Sequence, residues 1–197
     1  MVASGLNNEP RVEPIKLALH LLLAFTVFAL MLWTRWQVLD HPRIIFSRTT
    51  SRLARVTLFL LVVQISFGAL VAGLRAGLTY NTYPLMDGQL IPGDLHLMQP
   101  WWLNHLESAL TVQFQHRMMA LLVVASVITL VIRGWKHPLL RTDLRMILIA
   151  IAVQFALGIA TLLSHVQIAL ASAHQLVALL LVALLLRIIF LTPLDQN

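Results

Sequence analysis

Five apolar stretches, each 18 residues or longer and almost free of charge, restrict what this chain can become more than any other feature: 15–33, 56–74, 109–132, 146–163 and 168–186. At a rise of ~1.5 Å per residue, each is long enough to cross a hydrocarbon layer ~30 Å thick as a helix. Lipid offers no partner to a peptide N–H or C=O, so a segment at that depth must satisfy its own backbone, and helices do so. The expected fold is an all-α polytopic membrane protein with five transmembrane helices. Composition agrees: 59% of the 197 residues are hydrophobic and 11% charged, against about 45–50% and 25% in soluble domains, which excludes an ordinary soluble globule.

The charges report topology. Fourteen Lys and Arg against eight Asp and Glu give a net +6, which in a soluble chain would suggest nucleic acid. Here the basic residues gather in short connections, and no nucleic-acid partner is expected. Arg35, Arg43, Arg48, Arg52 and Arg55 face only Asp40 in the basic loop 35–55, and Arg133, Lys136, Arg141 and Arg145 face only Asp143 between the third and fourth spans. By the positive-inside rule both connections lie in the cytoplasm or matrix. The 75–108 connection has Arg75 as its only Lys or Arg, beside Asp87, Asp94 and Glu107, and the 164–167 turn has no Asp, Glu, Lys or Arg. Both read as outer. The polar start 1–14, with Glu9, Arg11, Glu13, Pro10 and Pro14, is then outside and lacks the character of a targeting peptide. The C-terminus, after Arg187, is inside. The 75–108 loop is long for a bundle connection and carries Tyr80, Tyr83, Pro84, Pro92, Trp101 and Trp102. It reads either as a functional loop or as an aromatic belt at the headgroups.

Eight histidines divide unevenly. His41, His96, His105, His137 and His165 fall in connections or at a span end and read as solvated. His20, His116 and His174 lie within the first, third and fifth spans, five, seven and six residues from ends that the charge pattern puts outside. That places all three at a depth of roughly 8–10 Å. A single intramembrane histidine often serves only as a hydrogen-bonding link between helices. Three at one level point to a site, because ionisable groups inside a bilayer are costly. Neutral imidazole is a haem axial ligand, and bundles hold cofactors between facing helices. A metal or proton path would bring carboxylates, and the spans contain no Asp or Glu. Two such histidines on different helices therefore suit a six-coordinate haem iron. Arg117, beside His116, and Arg75 read either as partners of haem propionates or as side chains reaching the interface. Gly68 and Gly73 read as close-packing positions. With no cysteine in the sequence, disulfides, thiolate metal sites and covalent c-type haem are excluded.

Superposing His20 on His174 also aligns Leu22 with Leu176, Ala24 with Ala178 and Ala29 with Ala183. Duplicated bundles leave such echoes. The expected organisation is a polar start 1–14, a single helix 15–34 left from a first bundle, the basic loop 35–55, and a four-helix, haem-binding bundle over 56–190 with its outer loop 75–108.

Four segments carry a family resemblance: Gly68-Ala-Leu-Val-Ala-Gly-Leu-Arg-Ala-Gly77, Asn81-Thr-Tyr-Pro-Leu-Met-Asp-Gly88, Gln113-Phe-Gln-His-Arg117 and Ala173-His174-Gln175. Their order and spacing resemble the haem A synthase family of bacterial and mitochondrial membrane enzymes. Members oxidise a methyl group of haem O to the formyl group of haem A for cytochrome oxidase. The resemblance implies eight spans in two four-helix halves. It also implies a b-type haem held by His116 and His174 in the C-terminal half, and His20 on the last helix of the half that takes the substrate haem. The family's first three spans, with their Glu-x-x-His-Arg motif and second substrate-side histidine, have no counterpart here. The expectation is therefore a cofactor half plus one helix that makes no haem A unaided. Implied partners are the lipid bilayer, haem O as substrate, haem O synthase and cytochrome oxidase assembly factors. The implied location is the bacterial plasma membrane or mitochondrial inner membrane. Two rival readings are a non-enzymatic b-type cytochrome passing electrons to a partner and a structural assembly subunit with no cofactor.

Overall fold

The computed structural model describes residues 13–39, 48–86 and 88–193. Most of the polar start, Asp40, His41 and Arg43 of the basic loop, and Asp87 of the long loop lie outside the described residues. Five long helices form: α1 (Pro14–Val38), α2 (Arg48–Gly73), α4 (Ala109–Gly134), α5 (Arg141–Leu163) and α6 (Ile168–Leu191), with one short turn, α3 (Asn104–Glu107), before α4. All five long ones have the length and apolar composition to cross a membrane, and the chain is a multi-pass, all-α membrane protein.

All but α2, which stops one residue short at Gly73, contain their whole apolar stretch, and four run well past it at the basic end, α1 reaching Val38 rather than 33. α2 starts at Arg48 rather than 56, α5 at Arg141 rather than 146, and α6 continues to Leu191 rather than 186. Hydropathy marks only the part that lipid requires. The backbone continues its hydrogen-bonded ladder through Arg-bearing turns whose heads reach water. Pro14 opens α1 at a position where its missing N–H costs nothing.

The strong helix interfaces run α2 to α4, α4 to α5, α5 to α6 and α6 back to α2. These four helices thus close a ring in which α4 and α6 stand at opposite corners, as do α2 and α5. α1 lies outside the ring against α2 and α6. Its contacts include Trp33 and Trp36 against Phe190, with ring centroids 5.2 and 5.6 Å apart.

The two ends of the ring are built differently. At the basic end the interior is dry and aliphatic, with Leu130, Leu140, Leu144, Ile147, Leu185 and Ile188 fully enclosed. Polar ties close it off. Arg187 Nε donates to the buried Asp143 carboxylate at 2.7 Å, Thr57 and Ser126 hydroxyls pair at 2.7 Å, and the Ser51 hydroxyl donates to the Thr192 carbonyl. At the end bearing the long loop, the interior is more polar and more open, with half-buried Gln64, Gln115, Gln154, His116 and His174 beside buried Gln113.

Candidate functional site

α4 brings His116 and α6 brings His174 into the half-buried end of the ring from opposite corners, seven and six residues after their helices begin. Each is met by a glutamine from a neighbouring helix: Gln64 Nε2 lies 3.3 Å from His116 Nε2, and Gln154 Nε2 lies 3.2 Å from His174 Nε2. His174 Nδ1 also donates to the Gln154 main-chain carbonyl at 3.1 Å. That bond assigns the ring proton to Nδ1 and leaves the lone pair on Nε2, the nitrogen a metal would take. One turn beyond each glutamine stands a glycine, Gly68 or Gly158, directly beneath the imidazole.

Above the histidines the long loop lies across the ring. Leaving α2, the chain enters the left-handed region at Arg75 (φ 53°) and turns through a short 3-10 segment, Ala76–Leu78. The Asn81 side chain then donates to the Gly77 carbonyl and, at 3.0 Å, to the Leu162 carbonyl at the end of α5. From α4, Gln113 Nε2 and an Arg117 guanidinium nitrogen donate to the Tyr80 carbonyl at 3.0 and 3.2 Å, and Arg117 reaches the Leu85 carbonyl at 3.4 Å. Tyr83 sets its ring edge-on to Phe155 of α5. Met86 and Gln89 exchange main-chain hydrogen bonds of 2.8 and 3.1 Å, with Gly88 at φ 79°. The Asn-Thr-Tyr-Pro-Leu-Met run is thus a lid joined to α2, α4 and α5. Farther along, buried Asn104 ties Met98 and Trp101, while Trp101 and Trp102 stay exposed.

The other expected residues are placed elsewhere. His20 is exposed on α1, in a shallow groove of about 430 Å³ shared with Leu23, Val27 and Met31, and faces away from the ring. Common depth therefore does not mean a common site, since α1 stands outside the bundle. Arg75 is exposed and makes no side-chain hydrogen bond among the described residues. His96 is exposed and His105 half-buried; their rings pack 6.1 Å apart, and His105 also meets Trp101 and Gln115. Gln64, Gln154 and Gly158 escaped the sequence reading, although Val-Gln-x-x-x-Gly occurs in both the second and fourth spans, at 63–68 and 153–158.

The residues present suit a haem. Gln64 Oε1, Gln113 Oε1, Gln154 Oε1, His116 Nδ1 and Arg117 Nε are buried without a partner among the described residues, and all lie at the half-buried end. Each such atom ordinarily costs about 1–3 kcal/mol, so their concentration at one place calls for a ligand with a polar edge. Two imidazoles from opposite corners of one ring are the donor set that a planar iron macrocycle requires.

Fold and site together define a membrane four-helix bundle with a facing histidine pair beneath a tethered loop. The chain belongs to the cytochrome oxidase assembly protein family COX15-CtaA, whose pattern it matches over residues 1–186. It is 44% identical over 184 residues to the heme A synthase of Wolbachia pipientis wMel, covering 92% of this chain and 51% of that protein. To the heme A synthase of Agrobacterium fabrum it is 45% identical over 188 residues, covering 92% and 51%. It thus spans about half the length of the curated relatives it matches.

Proposed function

We propose that this chain is the cofactor-bearing half of a haem A synthase, an oxidoreductase that converts a methyl group of haem O to the formyl group of haem A for cytochrome oxidase. One observation carries the reading: two imidazoles enter one ring from opposite corners, each against the same Gln and Gly pattern. His116 and His174 would hold a b-type haem through Nε2, with Arg117 and Arg75 nearest the lid for its propionates. A haem so bound supplies reversible one-electron transfer at iron. The protein's own part is to hold the His174 proton on Nδ1, to keep the aliphatic end dry, and to cover the other end with the lid. His20, on the outward face of α1, belongs to the side that takes haem O. The lid end faces the periplasm or intermembrane space, the C-terminus faces the cytoplasm or matrix, and haem O synthase and oxidase assembly factors are the protein partners.

Haem content and the reduced absorption spectrum of the purified chain test the ligand assignment. His116→Ala and His174→Ala should each lose haem or open a coordination position, ending the low-spin spectrum. Full haem with an unchanged spectrum in both variants would sink it and leave His20, His96, His105 and His165 as candidates. Identifying the extracted pigment tests the activity: haem O or haem A beside protohaem fits only the synthase, protohaem alone fits both the synthase half and an electron-carrying b-type cytochrome, and the absence of any haem counts against the reading.

A further inference from the structure

The contacts around the two histidines repeat almost atom for atom. A Cβ placed on Gly68 would lie 3.1 Å from His116 Cε1, 3.7 Å from Nδ1 and 3.9 Å from Nε2. Placed on Gly158, it would lie 3.1, 3.6 and 3.9 Å from the same atoms of His174. Gln64 and Gln154 each stand four residues before their glycine and nine before the last residue of their helix. Their amide nitrogens approach the two Nε2 atoms at 3.3 and 3.2 Å. The Gln154 carbonyl takes the His174 Nδ1 proton. At His116 the corresponding Nδ1 has no hydrogen-bond partner among the described residues. The helices that carry these seats, α2 and α5, occupy the two corners that the histidine helices do not. The ring therefore has an approximate twofold repeat, in which α2 with α4 corresponds to α5 with α6.

We propose that Gln64 with Gly68, and Gln154 with Gly158, are two equivalent positioning seats that set the ring planes of His116 and His174, the Gln154 main-chain carbonyl also fixing the His174 tautomer. The physical cause is close approach. An imidazole can lay its Cε1 edge on a helix only where that turn has no Cβ. Once there, His174 Nδ1 meets the carbonyl of the preceding turn, while each glutamine amide, which rests on Nε2 here, gives up that nitrogen's single lone pair when iron takes it. Both glycines lie in helix interiors, where glycine is less favourable than alanine; the seat is what offsets that cost. The proposal rests on the reading of His116 and His174 as haem ligands, and it assigns to four residues that coordinate nothing the orientation of the two that do.

The test uses the full chain, purified with its haem, and four substitutions: Gly68→Ala, Gly158→Ala, Gln64→Leu and Gln154→Leu. Gly134→Ala serves as a control, because that glycine receives a Leu144 methyl at the opposite end of the bundle. Outer-sphere partners of metal-bound histidine typically matter 10–100-fold in affinity. Each glycine variant should therefore retain haem about 10-fold more weakly and shift the largest g value of its oxidised low-spin electron paramagnetic resonance signal. The glutamine variants should keep haem but shift that g value and the midpoint potential. Gly134→Ala should leave both signatures unchanged at equal helical content. If His116→Ala and His174→Ala lose haem while both glycine variants match the parent signal, the seats are refuted and the ligand assignment stands. If the histidine variants keep haem, the ligand assignment itself has failed. Glutamine variants that match the parent while the glycine variants do not would remove the amides from the proposal.

Discussion

Arg117 is the only charged residue within the apolar part of α4, and its guanidinium is spent on the lid, donating to the carbonyls of Tyr80 and Leu85. Gln113, one turn earlier, shares the first of these. Hydrogen bonds from a charged donor are worth about 1.5–3 kcal/mol. Arg117→Leu should therefore loosen the lid by about that amount, seen as faster protease cleavage within residues 79–86 at unchanged helical content. Asn81→Ala, which unties the same segment from the end of α5, should accelerate cleavage at the same place. What the sequence showed at this scale was which residues were chemically costly. His116, His174 and Arg117 stand out because ionisable groups in apolar spans need a reason. Gln64 and Gln154 are cheap enough to pass as helix-to-helix links, and Gly158 as ordinary packing; only the approach of an imidazole edge gives them meaning. His20 marks the opposite error, since depth along a helix says nothing about which way a side chain points.

Two contacts fix how the helices meet at the basic end. Gly134 of α4 lets Leu144 of α5 come close: a Cβ there would stand 2.9 Å from the Leu144 Cδ1. Gly134→Ala should cost about 1–3 kcal/mol through overpacking, read as a lower midpoint of thermal unfolding in detergent. Between α5 and α6, the Asp143 carboxylate is buried and the Arg187 guanidinium half exposed. Removing the arginine strands a buried charge, whereas removing the carboxylate frees a cation that reaches water. Arg187→Leu should thus destabilise by about 2–3 kcal/mol, screened by the exposed partner, and Asp143→Asn by distinctly less; equal losses would contradict this. Span number and type were legible because lipid allows so few backbone solutions. The eight extra helical residues at the start of α2, Arg48 through Arg55, were not, because hydropathy stops where snorkelling begins.

The described residues form a ring of four helices with a fifth against its outside, and the proposed orientation puts the Arg-rich connections in the cytoplasm or matrix. A periplasmic reporter inserted between residues 36 and 50 in a bacterial host should be inactive, and one inserted near Pro92 active; the reverse result would invert the protein. Which helices would be neighbours was not in the hydropathy profile, since every apolar face suits lipid as well as another helix. Histidines on two spans at one level hinted at the pairing, but the placement of α4 and α6 at opposite corners emerges only from packing. The aliphatic plug at the basic end has an electrical consequence. A membrane voltage falls mostly across the driest path, here the enclosed leucine and isoleucine layers, while the half-buried end stays close to the potential of the compartment beyond the lid. Moving a full charge through 100 mV takes about 2.3 kcal/mol. With the proposed haem between His116 and His174, a charge gained or lost there would cross only the shallow part of that drop, and its transfer would depend little on how strongly the membrane is energised.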